Sequence, residues 1–201
     1  MDVDVENDEN GVYLWGTLVT NRSGLDGIEE EGYRSFCNWS LLDPQSEAEL
    51  FAEFWDWFSA LRTRVTGAGF SFRAYCYNQA HENSRMRRGA AVAGLLHEVE
   101  EFIGSGQWVD LLKVFKAHLI TGNPVKLKVT APLSGFSWDV EEPAGDESMV
   151  RHDEAVDGSQ AARGWLLTYN RNDVEATLAL RDWLQEKAGT FPPIEDLEGD
   201  A

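Results

Sequence analysis

The first residues of the chain alternate without exception, with Asp2, Asp4 and Glu6 at the even positions and Val3 and Val5 between them. A period of two fits an extended strand, whose successive side chains point to opposite faces of a sheet. Three acids therefore share one face and the valines share the other. Like charges side by side repel. Such a strand either exposes its acidic face to water, as an edge strand does, or holds a cation among its carboxylates. Hard oxygen ligands at the Asp4/Glu6 spacing suit magnesium or manganese. Both readings remain open on this segment alone.

Two further strand patterns follow closely, VYLWGTLV from Val12 and YRSFCNW from Tyr33, joined by segments rich in Asn, Asp and Gly. Three such runs predict an antiparallel meander. After Asp43-Pro44 the period lengthens. Leu50, Phe51, Phe54, Trp55, Phe58 and Leu61 recur at helical spacing, with Ser46 and Glu49 as a candidate capping box. The aromatic run FSFRAYCYN from Phe70 predicts a buried strand. Helices are expected from Ala80 to Phe102 with a break near Gly89 or Gly94, from Val109 to Leu119, and from Ser159 to Lys187 with Asn170 as a candidate break. The stretch between Gly122 and Gly158, with Gly, Pro and many acids, fits no pattern. Strands first, then strand and helices interleaved, predict an α/β fold with a mixed central sheet flanked by helices.

At 201 residues and 43% hydrophobic content, the chain suits one compact domain that needs no stapling. Cys37 and Cys76 alone make no disulfide framework, and Cys76 is expected as a buried free thiol. No basic region precedes an apolar stretch at the start, and the run around Ala90 to Leu96 is far short of a bilayer span. These features predict a soluble, cytoplasmic protein. A formal charge of −18 argues against indiscriminate binding to phosphate backbones. The charge is uneven, however. Residues 62–128 carry ten basic side chains against five acids, a local +5 that leaves −23 for the rest. A positive strip on an acidic chain can still meet nucleic acid.

Two later motifs bear on the acidic strand. Asn78-Gln79-Ala80-His81-Glu82 follows the predicted buried strand, and Tyr169-Asn170-Arg171-Asn172-Asp173 lies in the last helix. Read singly, the first is a helix start with an acid in its first turn. The second is a helix boundary capped by Asn170, or a helical face carrying Tyr169 and Asp173 together.

The order D-x-E, then N-x-x-x-E, then Y-x-x-x-D resembles the DEDD exonucleases of the ribonuclease H-like superfamily, in their Tyr-containing subgroup. The segments DVDVEN, VYLWG, YCYNQAHEN, WVDLLKVF, LKVTAPLSGFSW and YNRNDVEATLALRDWL occur in the order found in the ribonuclease H-like domain of the RecB-type putative nucleases, and the chain resembles that family. The resemblance implies a ribonuclease H-like fold and a two-metal phosphodiesterase. Asp4, Glu6, Glu82 and Asp173 would hold two Mg²⁺ or Mn²⁺ ions about 4 Å apart, with Asp110 as an accessory ligand. Tyr169 would orient the attacking water, since a phenol is a poor base at neutral pH. Lys128 would neutralise a phosphate. Asn78, Arg85 and Arg88, with Arg87, would lie at the nucleic-acid rim. Trp108 and Trp138 are either core residues or platforms for unpaired bases. Glu82 departs from the Asp usual at its position, which puts the metal geometry in question.

The activity implied is 3′–5′ exonuclease action on a single-stranded DNA or RNA end. The alternative is a non-catalytic module that docks a helicase or nuclease partner. The expected domain covers residues 1–190, with a loose acidic tail over 191–201. A RecB-like nuclease domain is expected before it, in a longer chain or in a partner.

Overall fold

The computed structural model describes residues 1–27, 31–140 and 147–191. The meander forms as expected from strands β1 (Asp2–Asn7), β2 (Val12–Val19) and β3 (Gly32–Cys37). Strands β4 (Ala74–Cys76) and β5 (Trp108–Asp110) complete a five-stranded sheet in the order β3-β2-β1-β4-β5. The β1–β2 and β2–β3 pairs are antiparallel, whereas β1–β4 and β4–β5 are parallel. The fold is α/β with a mixed sheet flanked by helices. The acidic strand β1 is thus central, and its polar face is not the solvated face of an edge strand.

One face of the sheet carries the aromatic core. Helix α1 (Pro44–Gly67) lays Phe51, Phe54, Trp55 and Phe58 over Val3, Val5, Trp15 and Phe36. Trp15 and Phe54 stack with centroids 4.7 Å apart. The capping box uses Asp43 and Ser46 rather than Ser46 and Glu49: the Asp43 carboxylate accepts from the Ser46 N–H at 2.8 Å, and the Ser46 hydroxyl accepts from the Asp43 N–H at 3.0 Å. Pro44 fixes the first helical φ, so the helix starts earlier than the apolar periodicity reveals. Helices α2 (Gln79–Ala93) and α3 (Leu96–Ile103) pack on the same side. Their break falls at Gly94, in the left-handed region at φ 76°. Gly89 instead lets α2 approach α1, since a Cβ there would sit 2.7 Å from Phe51.

The other face is covered by α4 (Leu111–His118), α5 (Leu127–Thr130), α6 (Glu147–Val156) and α7 (Gln160–Lys187). The helix expected from Val109 begins at Leu111, because Val109 and Asp110 belong to β5, a short edge strand paired in parallel with β4. The buried strand expected from Phe70 shrinks to Ala74–Cys76. Cys76 is a buried free thiol. The last helix runs unbroken through Asn170, whose side chain faces β1 rather than capping a helix. Within the stretch that fits no pattern, α6 occupies most of the described residues from 139 to 157. Residues 141–146 of that stretch, and all of the acidic tail but Phe191, lie outside the described residues. Among the described residues no helix is long and apolar enough to cross a membrane.

Candidate metal-binding site

The carboxyl ends of parallel strands collect ligand-bearing side chains in open α/β sheets, and the acids of this chain gather there. Asp4 and Glu6 stand on the α7 side of β1. Asp173 comes down from α7, four residues after Tyr169 on the same helix face. Carboxylate oxygens of Asp4, Glu6 and Asp173 all lie within 4.8 Å of one another.

The approach of α7 to the sheet is made possible by Gly16, which pairs with Asp4 across β1 and β2. A Cβ at Gly16 would fall 1.6 Å from the Asn170 side-chain oxygen. A glycine inside an apolar strand often marks such a close approach. Asn170 fills the space. Its Nδ2 donates to Asp4 Oδ2 at 2.9 Å, and its Oδ1 accepts from the Tyr33 hydroxyl at 3.0 Å. Two residues on, Asn172 clamps the 138–139 segment to α7: its Oδ1 accepts from the Asp139 N–H at 2.8 Å, and its Nδ2 donates to Asp139 Oδ2 at 3.1 Å. That clamp presents Trp138, whose Nε1 donates to Asp173 Oδ1 at 2.7 Å.

Glu82 lies outside the close trio. It sits in the first turn of α2, just beyond the end of β4, and is almost fully buried. Its Oε2 has no hydrogen-bond partner. Burial first, then the negative charges of Asp4 and Asp110, push its pKa up to about 9. Asp4 is held well above the usual carboxylate range by burial and by Asp173, and Glu6 by burial, Asp4 and Asp173. Clustered carboxylates that repel one another, with an orphaned buried oxygen alongside, fit a divalent cation. The all-oxygen donor set suits Mg²⁺ or Mn²⁺ over softer metals.

The other expected residues are distributed around this centre. Tyr169 lies beside Lys128, whose Nζ donates to its hydroxyl at 2.7 Å, and burial pushes the phenol up to about 12. Asp110 caps α4, accepting from the Leu112 N–H at 2.9 Å and the Lys113 N–H at 3.3 Å, and also takes the Asn78 N–H at 3.3 Å. Asn78 itself holds φ 78°, turning the chain from β4 into α2. Arg88 meets the buried Glu47 at 2.8 Å, and Arg87 pairs with Glu100. Arg85 is half-buried, its Nε without a hydrogen-bond partner. Trp108 is a core residue, buried and donating from Nε1 to Asn83 at 2.8 Å, and offers no platform for a base.

Sequence reasoning took Asn170 for a helix cap, and missed Tyr33, the clamp made by Asn172 and the orienting role of Trp138. Only Gly16, out of place in an apolar strand, signalled that a side chain approaches β1 closely.

No curated protein and no solved structure matches this chain. A family model, described as the RNase H superfamily, matches residues 3–185. That span runs from β1 into α7 and includes Asp4, Glu6, Glu82, Tyr169 and Asp173. Members of that superfamily generally hydrolyse phosphodiester bonds with divalent metals. The acid-bearing central strand of a mixed sheet, met by an acid from the last helix, is therefore the expression of a shared ancestry: the chain belongs to the RNase H superfamily.

Proposed function

We propose that the protein is a divalent-metal-dependent nuclease, acting as a 3′–5′ exonuclease on single-stranded DNA or RNA. The observation that carries this reading is the meeting of Asp4, Glu6 and Asp173 within 4.8 Å at the carboxyl end of β1. These three, with Glu82 on the flank, would hold two Mg²⁺ or Mn²⁺ ions. When bound, such ions lower the pKa of water and neutralise charge on the leaving oxygen. Asn170 orients Asp4, and Trp138 orients Asp173. Tyr169, too weak an acid to serve as a base at neutral pH, positions the attacking water by hydrogen bonding. Lys128 supplies positive charge beside it for a phosphate. Asp110, besides capping α4, would serve as an accessory ligand, and Asn78, Arg85 and Arg88 would contact the nucleic acid.

The test is direct. Oligonucleotides labelled at the 3′ or the 5′ end, incubated with Mn²⁺ or Mg²⁺, are expected to lose nucleotides from the 3′ end. Asp4→Ala and Asp173→Ala should each abolish this. No cleavage with either metal, or cleavage unaffected by both substitutions, would sink the proposal.

A second reading is a non-catalytic module that docks a helicase or nuclease partner. One observation favours it: Arg87 and Arg88 are bonded to Glu100 and Glu47, which reduces the positive strip available to a phosphate backbone. Calorimetry with Mn²⁺ separates the two, since a docking module has no need of carboxylate-dependent metal sites. In either case residues 1–190 are read as the domain, with a RecB-like nuclease domain in the same or a partner chain.

A further inference from the structure

At the end of the sheet away from the acids, the helical layers outrun the strands. Helices α1 and α7, of 24 and 28 residues, are about 36 and 42 Å long, whereas the three-residue strands β4 and β5 span only about 10 Å. The last turns of both helices overhang the strand ends and enclose a cavity of about 640 Å³. Leu61 and Val65 of α1 line it from one layer, and Val114 of α4 and Leu184 of α7 from the other. Phe70 also lines it and is still 37% exposed. The charge of this lining is opposite to that of the chain. Among the described residues that form it are Arg22, Arg73, Arg181 and His118 and no acid, although the sequence holds 35 acids against 17 Lys and Arg.

We propose that this cavity binds a small amphiphile, an aliphatic carboxylate whose chain lies between α1 and α7 and whose head meets Arg73. The site is independent of the nuclease reading. Its volume falls in the range of small-ligand clefts, roughly 300–1,000 Å³. Leu61 and Leu184 are buried within it, whereas Arg22, Arg73 and His118 are exposed around it, so an apolar floor lies under a cationic mouth. Two of the three guanidinium groups are already committed, Arg181 to Asp2 at 3.2 Å and Arg22 to Asp182. Arg73 donates to the Phe72 carbonyl at 2.9 Å and, among the described residues, pairs with no acid. One uncommitted cation matches a single negative charge, and a guanidinium fork suits a carboxylate. A peptide fits less well, because backbone groups in these walls are already bonded. The Phe70 N–H donates to the Val65 carbonyl and the Tyr75 N–H to that of Met1. Asn21 takes up both the N–H and the carbonyl of Leu25. These walls therefore offer no row of free backbone groups for an added strand.

Hexanoate, octanoate and 1-octanol, each titrated calorimetrically into the protein below micelle-forming concentrations, provide the test. Affinity should rise by about fourfold for each methylene from hexanoate to octanoate, the increment for burying one such group. Octanoate should bind roughly 10-fold tighter than 1-octanol, as expected for a hydrogen bond between charged groups. Arg73→Gln should erase that advantage and leave 1-octanol binding unchanged. Val65→Trp fills the cavity from the α1 side and should abolish binding of all three ligands. Val114→Trp does the same from α4, so that a folding defect in one variant does not decide the result. No binding of octanoate, equal affinity for octanoate and 1-octanol, or binding that survives in both Trp variants overturns the proposal.

Discussion

Strand β1 turns one side to an aromatic core and the other to a cluster of acids, and the two sides obey opposite energetics. Toward α1, Val3 and Val5 meet Trp15, Phe54 and Phe58, where each square ångström of buried apolar surface adds stability. Toward α7, Asp4 and Glu6 are brought against Asp173 and held above their ordinary pKa, an arrangement that costs stability in the absence of a cation. Residues that raise the energy of the empty fold, yet are held in place by dedicated partners such as Asn170 and Trp138, point to chemistry. Asp2, on the same side but at the other end of the strand, shows the contrast within one row. Burial raises its pKa too, to about 6, but its charge is answered by the Arg181 guanidinium 3.2 Å away.

The comparison can be broken at several points. The largest effect of a single substitution is expected on the aromatic side. Phe54→Ala should cost about 3–5 kcal/mol in urea unfolding, the range for large core truncations. A smaller loss would mean that α1 is less tightly packed than its stacked rings indicate.

Next comes the seam between the two halves. Gly16→Ala should destabilise by about 1–3 kcal/mol through overpacking against Asn170. It should also reduce cleavage beyond what the lost folded fraction explains, because Asn170 orients Asp4. Activity measured well below the unfolding temperature separates the two losses.

The acidic side predicts a pH dependence with a definite sign. Glu82 has a folded pKa of about 9 against an ordinary 4.5. Between these values the metal-free folded state keeps a proton that the unfolded chain has released. Stability should therefore fall as pH rises from about 4.5 to about 9, by at most about 1.4 kcal/mol per pH unit for this group. Asp4 and Glu6, raised likewise, act in the same direction. Unfolding midpoints measured with a chelator at pH 5.5 and 8.5 check this, and Glu82→Gln should flatten the trend. Mn²⁺ should reverse it, since ligation requires the deprotonated carboxylates, and its binding should release protons.

The smallest effect belongs to the exposed pair Arg87–Glu100. Glu100→Ala should leave stability nearly unchanged, as solvated surface pairs contribute little. If it increases affinity for an oligonucleotide, Arg87 is available to nucleic acid once released.

Much of this was legible before any coordinates. Strict alternation in β1 and the helical recurrence of Phe51, Phe54, Trp55 and Phe58 are local signals whose period reflects burial. Asp4 and Glu6 share a face by the same alternation, whereas Tyr169 and Asp173 stood out through the resemblance to the DEDD exonucleases, since their spacing alone left a helix cap open. The three-residue strand β5 did not stand out, since Trp108–Asp110 has too few residues to show a period and its partner is 34 residues earlier. Arg87 and Arg88 read as a positive strip because sequence counts charges without their neighbours, and their acids come from α3 and from Glu47 at the start of α1.

The sequence by itself determined which faces were apolar, which acids shared a side of β1, and the order of elements around them. Only the tertiary structure decided that Asn170 reaches Asp4, that Trp138 holds Asp173, and that Glu82 stays apart from the close trio. The physical reason is separation along the chain. Periodicity is a property of neighbours, whereas the distance from Asp4 to Asn170 depends on how α7 lies across the sheet, and Gly16 allows it to lie so close.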